Sequence, residues 1–143
     1  MTIANDFSEL RALVVDDNID AATSFSHLLQ LLGCRTAVAF GGAMGQRVAQ
    51  LFKPAIVFLD LDMPGRDGCE VLGDLRQPVD AHGNPLFICL TGRTEEPDRA
   101  RCLAAGFDHF VNKPMPPDLL AGLLAEARKR TGTSAAQRPA RSP

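Results

Sequence analysis

The sequence predicts an α/β fold: a doubly wound parallel sheet with helices packed on both faces. Three observations carry this. Short apolar runs alternate with segments whose apolar residues recur every three or four positions. The connections between them are short, as in right-handed strand–helix–strand units. Several runs also end in a residue that can carry chemistry: Asp16-Asp17, Asp60, Thr91 and Lys113. In an open parallel sheet the crevice beyond the carboxyl ends of the strands is where ligands bind.

Taken in order, residues 1–8 read as a lead-in. Ala12-Leu13-Val14-Val15 is the first strand, ending in Asp16-Asp17. Asn18 or Asp17 can cap the following helix, and Asp20 in its first turn suits the helix dipole. Phe25, Leu28, Leu29 and Leu32 form a helical stripe expected to face the core, and Gly33 stops it. Cys34 to Ala39 alternates as a second strand. Gly41-Gly42 begins a weaker helix to about Phe52, with Val48 and Leu51 expected to point inward.

The third strand is the clearest. Ile56-Val57-Phe58-Leu59 lies between Pro54 and a Met63-Pro64-Gly65 turn, and it runs into Asp60. A run so uniformly apolar reads as a strand buried on both faces. A helix carrying Val71, Leu72 and Leu75 is expected to run to about Arg76. Gln77 to Pro85 reads as a loop, slightly longer than the usual ~2–6 residues. Leu86 to Leu90 is the fourth strand, ending in Thr91-Gly92. Glu95, Glu96, Pro97 and Asp98 open a helix that carries Cys102, Leu103 and Ala105, and Gly106 stops it. His109 to Asn112 is a short fifth strand before Lys113-Pro114. Pro117-Asp118 opens the last helix, with Leu119, Leu120, Leu123 and Leu124 expected inward. Residues 131–143 have no periodic apolar face and are expected to be disordered. The ordered domain is therefore placed at 9–130.

Composition narrows the function. With 45% hydrophobic and 22% charged residues, 143 residues make an ordinary soluble globular domain. The net charge of -2 argues against a nucleic-acid surface. No apolar run approaches the ~20 residues of a membrane span, and the start has no leader pattern, so the expected compartment is the cytoplasm. Cys34, Cys69, Cys89 and Cys102 lack metal-site spacing and read as reduced thiols in or near the core. His27, His82 and His109 form no cluster.

The strand ends bring Asp16, Asp17, Asp60, Thr91 and Lys113 to one crevice if the first, third and fourth strands are central. Crowded carboxylates repel and call for a hard divalent cation. Three aspartates against one lysine leave an excess of two negative charges, which one Mg²⁺ would neutralise. The lysine ammonium and threonine hydroxyl suit phosphoryl oxygens. Metal-dependent phosphoryl chemistry with Asp60 as nucleophile is the expectation.

The segments LVVDDN at 13–18, LDLDMPGRDG at 59–68, LTG at 90–92 and NKP at 112–114 resemble, in this order, the receiver domain of two-component response regulators. The resemblance covers about Glu9 to Arg130. It implies a flavodoxin-like (βα)5 fold with strand order 2-1-3-4-5. It implies that Asp60 is the phosphoacceptor, charged by a phosphohistidine on a histidine kinase or histidine phosphotransfer protein in a phosphorelay. Asp17 and Asp60 would ligate Mg²⁺ directly, Asp16 mainly through water, and Asp62 through its backbone carbonyl. Thr91 would bond the phosphoryl group and Lys113 would pair with it. A cis Lys113–Pro114 bond is implied as well. Phe110 would be the switch aromatic that answers Thr91 and reshapes the surface of the fourth helix, fifth strand and fifth helix, where a downstream protein would bind. Asp62 and Arg93 occupy the positions that tend to set the dephosphorylation rate.

On this reading the chain is a cytoplasmic signalling phosphoprotein, monomeric or weakly dimeric, and not an enzyme beyond catalysing its own phosphorylation and dephosphorylation. The Met1 start and trailing RPARSP favour a stand-alone receiver over one excised from a hybrid kinase. Asp60-Leu61-Asp62 also resembles the DxD of haloacid-dehalogenase-like phosphatases, but it follows the wrong strand and leaves Asp16-Asp17 unexplained. A pseudo-receiver that only binds partners is the third reading, and the complete acceptor set argues against it.

Overall fold

A computed structural model of the chain describes residues 7–61, 68–80, 85–92 and 96–132. Within them, five strands alternate with five helices. The strands are β1 (Arg11–Val15), β2 (Arg35–Ala39), β3 (Ile56–Asp60), β4 (Leu86–Thr91) and β5 (His109–Asn112). The helices are α1 (Ile19–Leu31), α2 (Gly42–Phe52), α3 (Gly68–Asp80), α4 (Glu96–Ala105) and α5 (Pro117–Gly132). The sheet order is β2-β1-β3-β4-β5 and every pairing is parallel. The expected doubly wound, flavodoxin-like sheet is thus the fold.

Because side chains alternate along a strand, the central strands feed two cores. Ala12, Val14, Ile56, Phe58, Ile88 and Leu90 meet α1 and α5 on one face. Leu13, Val15, Val57, Leu59, Phe87 and Cys89 meet α2 and α3 on the other. All five residues of β3 and all six of β4 are buried, which explains their uninterrupted apolar sequence. Phe25 of α1 meets Phe58 edge-on, with ring centroids 4.9 Å apart.

The helix termini follow local chemistry. Asn18 is the cap of α1, and its side-chain oxygen accepts the Ala21 N–H at 3.0 Å. Gly33, which follows α1, has φ of 101°, a conformation suited to glycine. At the opposite end of the sheet from the acidic strand ends, Arg130 donates to the Pro85 carbonyl and to Asp108, whose other oxygen accepts the Phe87 N–H. That network ties the end of α5 to the start of β4.

Several sequence expectations need correction. Leu51 is 86% exposed: α2 turns its small residues to the sheet, with Gly45 and Ala49 buried and a Cβ at Gly45 only 3.3 Å from Val15. Leu28 and Leu119 are also exposed rather than inward. Leu28 lines an open pocket beside the sheet, and Leu119 lies on the outer side of α5, whose Leu120, Leu123 and Leu124 fill the core. α3 continues past Arg76 to Asp80. Pro78, in the last turn, has no N–H to donate to the carbonyl four residues back, so the helix continues through it with one intrahelical bond fewer. Phe7, assigned to the lead-in, is buried against the α1/α5 core beneath the Arg128 guanidinium.

Cys34, Cys69 and Cys89 are not in disulfides, and the first and last of them are buried. Thr131 and Gly132, assigned to the expected tail, are the last residues of α5; the Cys102 side chain, His82, the Met63-Pro64-Gly65 turn and residues 133–143 of that tail lie outside the described residues.

Two outcomes are expected. Phe7→Ala should cost about 3 kcal/mol in urea unfolding, because it empties a packed site; a loss near zero would restore residue 7 to the lead-in. Burial pushes the Cys34 thiol up from 9.0 to about 11, so the folded chain keeps its proton across the window between those values while the unfolded chain releases it. Peptide mapping after alkylation at pH 8 should find Cys34 protected in the native protein and modified once urea is added.

Candidate functional site

β1 and β3 are neighbours in register, Val15 beside Leu59, so the residues that follow them emerge together. Asp16 and Asp60 are buried, at 6% and 5% exposure, whereas Asp17 is exposed. Carboxylate oxygens from the three lie within 4.8 Å of one another. Lys113, in the turn after β5, reaches across with Nζ 3.3 Å from an Asp60 oxygen. Thr91, at the end of β4, is fully buried. Thus the β1 and β3 ends and the turn after β5 meet around Asp60, and Thr91 lies one residue beyond Leu90, the register partner of Asp60; the five residues singled out from the sequence all belong to these strand ends.

The electrostatics are adverse without a cation. The Asp16 carboxyl is pushed up to about 6, first by burial and then by the hydrogen bond and like charge of Asp60. The Asn18 N–H, 2.9 Å from Asp16 Oδ1, and the Lys113 charge act the other way. An acidic trio with two members out of water, all oxygens inside one coordination radius, fits a hard divalent ion such as Mg²⁺. Among the described residues it is the one group of three metal-ligating side chains so arranged.

Phe110 is buried in the α2/α3 core. Register places Cys89 beside Phe110 and Thr91 beside Asn112, so Phe110 and Thr91 share a sheet face one side-chain step apart. The Lys113–Pro114 peptide is cis, as the resemblance implied. Asp62 and Arg93 lie outside the described residues. His27 is exposed on α1, and His109 pairs with Glu126 of α5 at 2.9 Å; neither belongs to the acidic site.

Two features escaped the sequence reading. One is that Asn18 serves twice: its side chain caps α1 and its N–H fixes the Asp16 carboxylate. Its position directly after the acid pair was the available signal. The other is a pocket of about 380 Å³ opening beside Asp16, Asp60 and Lys113, with Phe25, Leu28, Leu90 and Met115 in its walls. Nothing in linear spacing joins α1 to Met115, so no sequence signal marked it.

Removing one of the crowded charges should stabilise the metal-free protein. Asp60→Asn is expected to raise the urea unfolding free energy by about 1–2 kcal/mol without Mg²⁺. Added Mg²⁺ should then stabilise the wild type but not the variant, since only the folded wild type offers the full ligand set. A variant less stable than the wild type in EDTA would refute the repulsion argument.

Comparison with known proteins agrees with this architecture. The family model described as response regulator receiver domain matches residues 12–125. The transcriptional regulatory protein KdpE of Mycobacterium tuberculosis is 34% identical over 128 residues, covering 89% of this chain and 55% of KdpE. PrrA of Mycobacterium bovis is 36% identical over 126 residues, 87% of this chain and 52% of PrrA. The chain therefore spans about half the length of these relatives. Among solved structures, the Francisella response regulator 1452 receiver domain superposes with a TM-score of 0.74 at 27% identity, covering 86% of this chain and 99% of that one. Vibrio cholerae chemotaxis protein CheY4 gives a TM-score of 0.72 at 25% identity over 82% of this chain and 98% of its own. With the family model spanning most of the sequence and the acidic strand ends gathered at one edge of the matching fold, this chain belongs to the response regulator receiver domain family.

Proposed function

We propose that this receiver domain accepts a phosphoryl group on Asp60 from a phosphohistidine of a histidine kinase or phosphotransfer protein. The observation that carries the reading is the buried Asp60 carboxylate, flanked by Asp16 and Asp17 on one side and by Lys113 Nζ at 3.3 Å on the other. In the transfer an Asp60 oxygen bonds to phosphorus as the phosphorus–nitrogen bond to the histidine breaks. Asp16, Asp17 and Asp60, with the Asp62 carbonyl, would hold Mg²⁺, which supplies positive charge to the transferring phosphoryl oxygens. Lys113 balances a further part of that charge, and the Thr91 hydroxyl donates to a phosphoryl oxygen. Burial of Asp16, Asp60 and Thr91 makes their interactions stronger than they would be in bulk water.

The pocket beside the acceptor, apolar along Phe25, Leu28 and Met115, gives a docking surface for an apolar helix of the donor. On the output side, Thr91 and Phe110 share a face of the sheet and serve as the switch toward the α4–β5–α5 surface, where a protein partner reads the state. Asp62 and Arg93 tune the lifetime of the phosphoryl group. The chain acts as a signalling protein, monomeric or weakly dimeric, and not on nucleic acid through its own acidic surface; the regulatory names of KdpE and PrrA belong to proteins about twice as long. No described helix is long and apolar enough to cross a membrane, and the cytoplasm is the proposed compartment.

The test is intact mass after incubation with acetyl phosphate and Mg²⁺. One phosphoryl adduct is expected in the wild type, absent in Asp60→Asn and in EDTA. Lys113→Ala should slow its appearance by on the order of 100-fold. An adduct that persists in Asp60→Asn would move the acceptor elsewhere. Unconsumed acetyl phosphate with no adduct would favour a binding-only module, and turnover of phosphate esters would favour a phosphatase.

A further inference from the structure

α4 is held in an unusual way. It ends where Gly106 donates to the Leu103 carbonyl at 3.2 Å, with φ of +121°. A helix C-terminus carries unsatisfied carbonyls and the negative end of the dipole, which a cation nearby stabilises. The last turn of α4 contains no basic residue. A cation from another helix stands beside this end: a Cβ placed on Gly106 would overlap Arg76 Nη1 of α3 and stand 3.3 Å from its Cζ. The guanidinium thus occupies the volume that a side chain at 106 would fill. Its other side is placed by the Phe87 ring of β4, whose centroid lies 5.9 Å from Arg76 Cζ.

Among the α4 residues whose side chains are described, Ala100, Arg101, Leu103, Ala104 and Ala105 are all exposed. Phe107, just beyond the helix, is buried. The amino end follows the segment that leaves Thr91 and the exposed Gly92. One end of α4 is therefore pinned by Phe107 and Arg76, and the other is tied to the strand end that carries the candidate switch threonine.

We propose that Arg76 is a positioning residue: a latch, delivered from α3, that pins the carboxyl end of α4 at Gly106 and makes that point the pivot about which α4 moves. Gly106 is required twice, once for its positive φ and once for the space it yields to the guanidinium. The latch stands on geometry alone; its use in signalling rests on the phosphoacceptor reading above.

Hydrogen exchange read by mass spectrometry separates the two. In the full chain, Arg76→Met, which keeps an unbranched side chain but removes the charge, should raise exchange of the α4 amides at 98–106 at least ~10-fold, with α5 and the central strands unchanged. Arg76→Lys should recover part of the protection. Unchanged α4 exchange in Arg76→Met, or an equal rise in every element, would overturn the latch. A double-mutant cycle gives a second measurement. The drop in urea midpoint caused by Gly106→Ala should be smaller in an Arg76→Ala background, because the steric conflict is gone; equal drops in both backgrounds would refute the shared seat. Beryllofluoride with Mg²⁺ then tests the pivot: it should alter α4 exchange in the wild type and lose that localised effect in Arg76→Met, while still protecting the Asp60 strand end in both. An identical α4 response in the two proteins would overturn the pivot. Failure to protect the Asp60 strand end in either protein would count against the phosphoacceptor reading and leave the latch result standing.

Discussion

Asp16 and Asp60 are held side by side, both out of water, at the ends of two adjacent strands. Few arrangements are less favourable electrostatically, and much of the structure can be understood as what makes it tolerable. The β1–β3 pairing forces the juxtaposition, and packing on both faces of the sheet keeps the strands from separating. The Asn18 N–H and the Lys113 ammonium offset part of the repulsion, each delivered by the turn after a strand. Burial, and after it the hydrogen bond and charge of Asp60, still raise the Asp16 pKa to about 6. Such a cluster of carboxylates suits a divalent cation, and a ligand that binds only the folded site links stability to binding.

Energetically the site depends on the two cores. Phe58 and Ile88 face α1 and α5, while Leu59 and Cys89 face α2 and α3, so adjacent residues of one strand contribute to opposite layers. Burial of this apolar surface is what holds the acidic strand ends at fixed separation. The distal network of Arg130, Asp108 and Pro85 ties α5 to the opposite end of the sheet. The two ends differ: there Asp108 is paired with Arg130, whereas at the other end three carboxylates crowd together.

The two flanks of the acceptor also differ. Toward α1 and the turn after β5, an apolar pocket stays open beside Asp60. Toward α4, Thr91 and Phe110 lie buried on one face, and the helix beyond them exposes most of its described side chains. Arg76 of α3 adds a contact on this second flank, where its guanidinium sits against Gly106 at the end of α4.

Linear patterns revealed most of this protein. β3 was legible because both of its faces are buried, which writes an unbroken apolar run into the sequence. The five chemical residues were legible because each ends a strand run. Periodicity failed where one helix face is ambiguous: Leu51 and Leu28 satisfy an apolar spacing, yet small residues, Gly45 and Ala49, decide which side of α2 touches the sheet, and an open pocket exposes Leu28. Burial of Phe7 was equally invisible, because its partners at α1, α5 and Arg128 are distant in the chain. By itself, then, the sequence determined the alternation of elements, the strand ends and the family they resemble, since these depend on residues close together. Only the tertiary structure decided the 3.3 Å approach of Lys113 to Asp60, the pocket between α1 and Met115, and the seat of Arg76 on Gly106. Each joins segments far apart in sequence, and their distances are set by how helices pack on the sheet.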